Sequence, residues 1–245
     1  MSKIVVITAA DIKFKEMALL TELSAKNLGY KTFVYDLGGL EYGIPFEAKI
    51  SVQRGAKIPS KPSIIKHAIN LVDHNDIVCW LDADALLWQP INELLQCPFD
   101  IAVTVRLQKD EDHDLPINAG VVFVRKTKNV EPFLDLWINK CSSGVSDQVE
   151  LNNLLNVSTR DVDKSFIKHD IKIKLLPCSV YNNFYFKNPQ ILAKIIHYIS
   201  NHRSWWLRQT IKKIPKQPSQ EIINLNTISM YYHIANKGQL GDKIG

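Results

Sequence analysis

Asp76-Ile77-Val78-Cys79-Trp80-Leu81-Asp82-Ala83-Asp84-Ala85-Leu86-Leu87 is the stretch that decides the fold. An apolar run ends in Asp-x-Asp and then resumes. Ile77 to Leu81 reads as a short buried strand, β-branched and aromatic. If the strand continues through the two acids, period-two alternation puts Asp82 and Asp84 on the same side. Two close carboxylates repel each other and resist burial. A hard divalent cation, Mn²⁺ or Mg²⁺, resolves that conflict, because both favour carboxylate and phosphate oxygens. The pattern predicts a metal–diphosphate site at the end of a central strand. The competing reading is a turn in which the two acids only cap and face solvent.

Outward from this stretch, the pattern alternates strand and helix. Residues 3–8 read as a first buried strand, too short in its apolar part for a signal peptide. Phe14 to Leu28 has helical spacing, with Gly29 as its stop. Lys31 to Leu37 reads as a strand, ended by Gly38-Gly39. Residues 40–60 read as an irregular, functional loop. Pro62 to Val72 is a helix with Pro62 in its first turn. Beyond the acidic motif come a short helix over Ile91 to Leu95 and a strand over Asp100 to Val105. Residues 108–114 read as a solvated acidic loop. Asn118-Ala119-Gly120 reads as a turn feeding a strand, Val121 to Val124. Helices follow over Val130 to Trp137 and Ser146 to Leu155, the latter with Ser146 as N-cap, then a strand over Ile171 to Leu176. The alternation implies an α/β fold with a mostly parallel central sheet. In such sheets ligands sit at the carboxyl ends of strands. Asp11 follows the first strand and Asp82 ends a middle one, so both fall on that edge.

Bulk properties narrow the class. The chain has 245 residues, enough for one large domain or a domain with a tail. Its 46% hydrophobic and 22% charged residues are those of an ordinary globular protein. No stretch approaches the roughly 20 apolar residues that span a bilayer. Cys79, Cys97, Cys141 and Cys178 are widely spaced, which argues against a zinc knot or disulfide scaffold and fits a reducing, cytoplasmic setting. The net charge of +5 is too mild to mark a nucleic-acid binder and suits anionic substrates or an anionic membrane surface. The excess concentrates between Lys187 and Lys216, with Lys194, Arg203, Arg208, Lys212 and Lys213 and no acid.

Several segments occur together in a telling order: Thr8-Ala9-Ala10-Asp11, Lys61-Pro62, Leu81-Asp82-Ala83-Asp84, Asn118-Ala119-Gly120-Val121, Ser146-Asp147-Gln148 with Leu151-Asn152, Ile196-His197-Tyr198 and Arg203-Ser204-Trp205. Together they resemble the GT-A glycosyltransferases, closest to family eight and related bacterial nucleotide-diphospho-sugar transferases. The resemblance covers roughly residues 3–206.

That resemblance implies a Rossmann-like GT-A catalytic domain over residues 1–206, with residues 207–245 as a basic, helical C-terminal extension packed on it. It implies a donor nucleotide sugar, most simply a UDP-hexose, held with Mn²⁺ or Mg²⁺, and retention of anomeric configuration. Asp82 and Asp84 match the metal-binding pair, with Ala83 between them in the donor site. His197 matches the third metal ligand. Its alternative is His202, and the aromatic Tyr198 that follows favours His197. Thr8, Ala10 and Asp11 match contacts to base or ribose; Asp11 also reads as a plain helix cap. Asn118 and Gly120 match a sugar-pocket segment or a simple turn. Asp147 and Gln148 match the pair beside the reacting anomeric carbon, and Asp147 alternatively only complements the helix dipole. Lys61 is the better of two lysines for the diphosphate, Lys66 being the other, and each also reads as a solvated surface residue. Arg203 stands where the family carries lysine. The family's late glycine and proline are Ser200 and Ser204 here.

The acceptor is a saccharide, a lipid-linked group or a protein. Trp205-Trp206-Leu207 beside Arg208 and Lys212-Lys213 suits peripheral contact with an anionic inner membrane face, or else packing on the domain. Residues 219–235 read as a final helix. Two other functions fit parts of the pattern: a non-catalytic nucleotide-sugar-binding protein on a transferase fold, and a haloacid-dehalogenase-like phosphatase. The second places Asp-x-Asp on its first strand and carries Thr or Val where Leu86 stands here. A nucleotidyltransferase would need a Gly-rich loop that Ala9 to Lys13 lacks.

Overall fold

The structure, a computed structural model, describes residues 2–40, 42–46, 50–53, 56–59, 61–106, 115–141, 145–183 and 193–198. Its strands are β1 (Ile4–Ala10), β2 (Lys31–Asp36), β3 (Ile44–Pro45), β4 (Ile50–Gln53), β5 (Ala56–Pro59), β6 (Ile77–Leu81), β7 (Ala85–Leu87), β8 (Ile101–Val105), β9 (Ile117–Arg125), β10 (Ser165–Lys168), β11 (Ile171–Pro177) and β12 (Ile195–His197). Its helices are α1 (Lys15–Asn27), α2 (Lys61–Asn70), α3 (Val130–Cys141), α4 (Asp147–Leu155) and the single turn α5 (Cys178–Tyr181).

One eight-stranded sheet runs in the order β10-β11-β8-β9-β6-β1-β2-β3. β6, β1, β2 and β3 are mutually parallel, β11 is parallel to β8, and β9 runs antiparallel to both of its neighbours. The α/β reading with a mostly parallel sheet holds, with two exceptions: β9 inside the sheet and β10 at its edge, antiparallel to β11.

Strand alternation sorts the core into two layers. Val5 and Ile7, Val78 and Trp80, and Val122 and Val124 face the layer completed by α2, α3 and α4. Ile4 and Val6, Ile77 and Cys79, and Val121 and Phe123 face the other, where Ala25, Tyr30, Ile91 and Leu94 pack. Strands buried on both faces read as continuous apolar runs rather than alternating ones, which is why β6 and β9 are buried along their whole length.

α1 buries Met17, Ala18, Leu20, Thr21, Ser24 and Ala25, the one-sided spacing of a helix lying on a sheet. Gly29 at φ +82° ends it. There the Tyr30 N–H donates to Ala25 O and the Gly29 N–H to Lys26 O, the paired bonds that close a helix through a left-handed residue.

Two expectations need correction. The loop over residues 40–60 contains β3 and a hairpin, β4 with β5. Asn118-Ala119-Gly120 is not a turn before a strand but lies within β9. Thr104 pairs with Asn118 while Val103 pairs with Val122, so Ala119, Gly120 and Val121 stand outside the β8–β9 ladder. This is a bulge of three extra residues, a device that re-aims backbone next to a site.

Candidate active site

The chain leaves β6 at Leu81 and turns at once, with the Ala85 N–H donating to Asp82 O at 2.9 Å. Asp82 and Asp84 therefore do not share a strand face; a turn brings them together. It is anchored from both sides. Thr21 of α1 donates to Ala83 O at 2.8 Å, and the Tyr198 N–H donates to Asp84 O at 2.8 Å.

β12 supplies the third member. It pairs antiparallel with β7, His197 opposite Ala85, and the His197 N–H donates to Asn183 O. His197 Nε2 then lies 3.1 Å from Asp84 Oδ1 and 3.9 Å from Asp82 Oδ2. One ligand atom from each of the three residues falls within 4.8 Å of the others. Adjacent ligands of a six-coordinate ion at about 2.1 Å stand roughly 3 Å apart, so the donor set fits an ion after little adjustment. Two carboxylates with one imidazole suit Mn²⁺ by chemistry, and Mg²⁺ less well because of the nitrogen. His202 lies outside the described residues, so the choice between the two histidines rests on this geometry around His197.

The β9 bulge is the hub of the site. Lys61, the first residue of α2, donates to Ala119 O at 2.5 Å and reaches Asp82 Oδ1 at 3.0 Å. Gln148 Oε1 accepts the Ala119 N–H at 3.1 Å. Asn118 Oδ1 accepts the Gly120 N–H, and Gly120 O accepts the Asp82 N–H. The backbone groups of Ala119 and Gly120 thus each hold, or are held by, a residue singled out from sequence.

Lys61 is buried, not a solvated surface lysine. Burial alone would pull its pKa down; the carboxylates of Asp82, Asp147 and Asp84 outweigh that, and the net shift is upward. Its ammonium also lies 5.4 Å from the Trp80 ring centroid, and Trp80 Nε1 donates to Asp82 Oδ1 at 2.7 Å. Oδ1 of Asp82 is thereby spoken for, and Oδ2 is the oxygen nearest His197. Trp80 escaped the sequence reading although it lies two residues before Asp82 on a strand, the spacing that puts both on one face.

α4 begins at Asp147. Ser146 stands at the N-cap position, but its side chain makes no capping bond, contrary to expectation. What fixes the helix start is Trp137 Nε1 of α3 donating to Asp147 O at 2.9 Å, and Asn152 tying Gln148 O to both backbone groups of Ile117.

The remaining candidates are placed as follows. Thr8 and Ala10 are buried near the end of β1, on the same sheet edge as Asp82 because β1 and β6 are parallel neighbours. Thr8 Oγ1 has no hydrogen-bond partner among the described residues. Asp11 caps a short 3-10 turn, Oδ1 accepting the Lys13 N–H at 2.9 Å. Lys66 pairs with Asp135 of α3 at 2.5 Å and is not gathered into the cluster. Arg203, Ser200, Ser204, the acidic loop at 108–114 and all of 207–245 lie outside the described residues. Burial pushes the Cys79 and Cys141 thiols up, Cys141 to about 12, so neither offers a thiolate. Cys79, Cys97, Cys141 and Cys178 form no disulfide with one another. No helix among the described residues is long and apolar enough to cross a membrane.

No family model matches the sequence, and no curated protein matches it. Solved structures do. A glycosyltransferase involved in glycosylation of the major capsid of PBCV-1 superposes with TM-score 0.55 at 16% identity, over 82% of this chain and 97% of that one. The glycosyltransferase GlyE of Streptococcus pneumoniae TIGR4 gives TM-score 0.56 at 14% identity, over 96% of this chain and 64% of GlyE. The bifunctional glycosyltransferase WbbM gives 0.54 at 14% identity, over 91% of this chain and 51% of WbbM. The chain thus spans somewhat under two thirds of GlyE and about half of WbbM. Its fold is that of the GT-A glycosyltransferases, as the sequence motifs implied; these neighbours do not single out family eight.

Proposed function

We propose that this chain is a metal-dependent glycosyltransferase that moves a hexose from a nucleotide sugar, most simply a UDP-hexose, to an acceptor with retention of configuration. One observation carries the reading: Asp82, Asp84 and His197 converge within 4.8 Å at the carboxyl end of β6, in a GT-A fold. Asp147 also acts electrostatically on the buried Lys61 ammonium, so that three carboxylates raise its pKa. Asp82, Asp84 and His197 would hold a divalent cation, whose charge would favour a diphosphate.

Thr8, Ala10 and Asp11 would receive the nucleoside on the edge of β1, and Arg203 the diphosphate. Asn118 and Gly120 would shape the sugar side. When bound at Asp82, Asp84 and His197, a divalent cation supplies Lewis-acid neutralisation of the charge that develops on the departing diphosphate. Lys61, held in place by Ala119 O and Asp82, adds fixed positive charge next to that site without reorganising. As the bond from the anomeric carbon to the diphosphate oxygen breaks, that oxygen keeps the electron pair. The acceptor hydroxyl bonds to the carbon and loses its proton. Positive charge on the carbon calls for a nearby oxygen, which Asp147 or Gln148 would supply. Gln148 Oε1 already accepts the Ala119 N–H, so its orientation is set before substrate arrives.

We assign residues 1–206 to the catalytic domain and 207–245 to a C-terminal extension, and place the enzyme in the cytoplasm, a reducing setting that suits widely spaced cysteines without disulfides. The acceptor is a saccharide, a lipid-linked group or a protein. Binding of nucleotide sugar without turnover would favour the non-catalytic alternative. The phosphatase alternative has no support from a sheet whose structural neighbours are glycosyltransferases.

The test is UDP release from a panel of UDP-hexoses with Mn²⁺, for wild type and Asp84→Ala. Metal-dependent release from at least one donor, about 100-fold lower in Asp84→Ala, is expected. No metal-dependent release from any UDP-, dTDP- or GDP-sugar would overturn the assignment.

A further inference from the structure

His197 is buried, at 3% exposure, and its ring touches more than the two acids. Nδ1 lies 2.8 Å from Oδ1 of Asn182, the residue that follows α5. Asn182 is wholly buried, and its amide is not free to flip. Its Nδ2 lies 2.8 Å from Thr104 Oγ1 and 3.4 Å from Asn118 O. A main-chain carbonyl only accepts, and the Thr104 hydroxyl already spends its one proton on Asn118 O at 2.9 Å. Both neighbours therefore require Nδ2 to be the donor, which leaves Oδ1 facing the imidazole. An oxygen that only accepts requires the proton on Nδ1. The other ring nitrogen, Nε2, lies 3.1 Å from Asp84 Oδ1, so it donates to that carboxylate where no cation is bound and would be the ligand atom where one is.

The ring is also fixed by space. A Cβ on Gly120 would lie 2.2 Å from His197 Cε1 and 2.6 Å from Nδ1, with Asn118 Oδ1 at 3.0 Å. Only a residue without a side chain lets the imidazole come this close to the β9 bulge. Gly120 thus makes room for the histidine, whatever it does for a sugar.

We propose that Asn182 is a positioning residue for His197: through the chain Asn118 O, Thr104 Oγ1, Asn182 amide, it fixes the Nδ1–H tautomer and aims Nε2 at the cation shared with Asp82 and Asp84. The proposal rests on the metal-site reading above. Partners in this second layer commonly set the tautomer and orientation of metal-bound histidines, and removing them typically costs 10–100-fold in metal affinity. Nothing local in the sequence marks Asn182. It lies 15 residues before His197, and β8 and β9 supply the atoms that orient it.

The test has two readouts. In metal-free protein labelled at histidine nitrogen, the His197 signals, assigned with a His197→Gln variant, report whether Nδ1 carries a proton. Mn²⁺ titration followed by electron paramagnetic resonance reports affinity. Wild type should hold the proton on Nδ1. Asn182→Ala should release the ring to the other tautomer and weaken Mn²⁺ binding by about 10–100-fold. Asn182→Leu keeps nearly the same volume but removes the acceptor. It should lose the Nδ1 proton and weaken Mn²⁺ binding in the same way, and it carries the test if Asn182→Ala does not fold. A wild-type tautomer and unchanged affinity in Asn182→Ala would overturn the role of Asn182 while leaving the metal site standing. Absence of Mn²⁺ binding by wild type would overturn the metal site, and the role with it, whatever the tautomer.

Discussion

Lys61 and Arg125 are buried to the same degree, each 8% exposed, at opposite ends of the same strand pair, β6 with β9. Their surroundings differ in kind. The Arg125 guanidinium donates to five main-chain carbonyls, those of Asn75, Leu94, Leu95, Phe99 and Cys97, and its ring partner is Phe99. Burial pulls its pKa down, with Cys97 and Asp100 opposing. Lys61 has one carbonyl and a set of carboxylates, and those push its pKa up against burial. A cation satisfied by neutral dipoles closes a loop and is finished. A cation held by carboxylates sits instead against the acids that the proposal assigns to a metal. Burial alone does not separate structure from function here; the chemistry of the acceptors does.

The largest expected effect breaks the structural end. Arg125→Met strands several buried carbonyls and should cost about 3 kcal/mol or more in urea unfolding. Mn²⁺ affinity of the folded protein should stay within a few-fold of wild type. A comparable loss of Mn²⁺ affinity would show that the two ends are not independent.

Next comes Lys61→Met, which removes the counter-charge from Asp82 and should cost about 2 kcal/mol near neutral pH. Because the folded pKa of Lys61 is raised, its contribution is full below the unfolded value and is lost as pH rises through the folded one. The stability gap between wild type and Lys61→Met should therefore be flat from about pH 7 to 9 and shrink only above about pH 10.5. A gap that closes between pH 7 and 9 would contradict the ion-pair account.

Gly120→Ala puts a methyl group into the imidazole. Stability should fall by about 1 kcal/mol, while Mn²⁺ affinity falls at least about 10-fold. Equal affinity would mean that the ring has another seat. The smallest effect belongs to Ser146→Ala. A serine that caps a helix is worth about 1 kcal/mol, but this side chain makes no such bond. Chemical denaturation should show a loss of no more than a few tenths of a kcal/mol.

Much of the fold was legible because β6, β1 and β2 are apolar runs bounded by acids and glycines, and because Gly29 marks a helix end. Asp82 and Asp84 were found by residue type alone, although the strand alternation invoked for them was wrong and a turn does the work. What stayed hidden is non-local. The bulge at Ala119 to Val121 follows from the registers of β8 and β6 against β9, which no window of one strand contains. Lys61 looked like any helix-start lysine until Asp82 and Ala119 closed over it. Thr104 and Asn182 carry ordinary side chains whose meaning comes only from sharing one carbonyl, that of Asn118.

The most direct measurement of the central claim is thermal stabilisation by UDP with and without Mn²⁺, on wild type and Asp84→Ala. A ligand that binds only the folded state raises the midpoint by mass action. Stabilisation that requires both UDP and Mn²⁺ and disappears in Asp84→Ala is the predicted result. Equal stabilisation of both proteins, or none from any nucleoside diphosphate with Mn²⁺ present, would contradict a donor site at Asp82, Asp84 and His197.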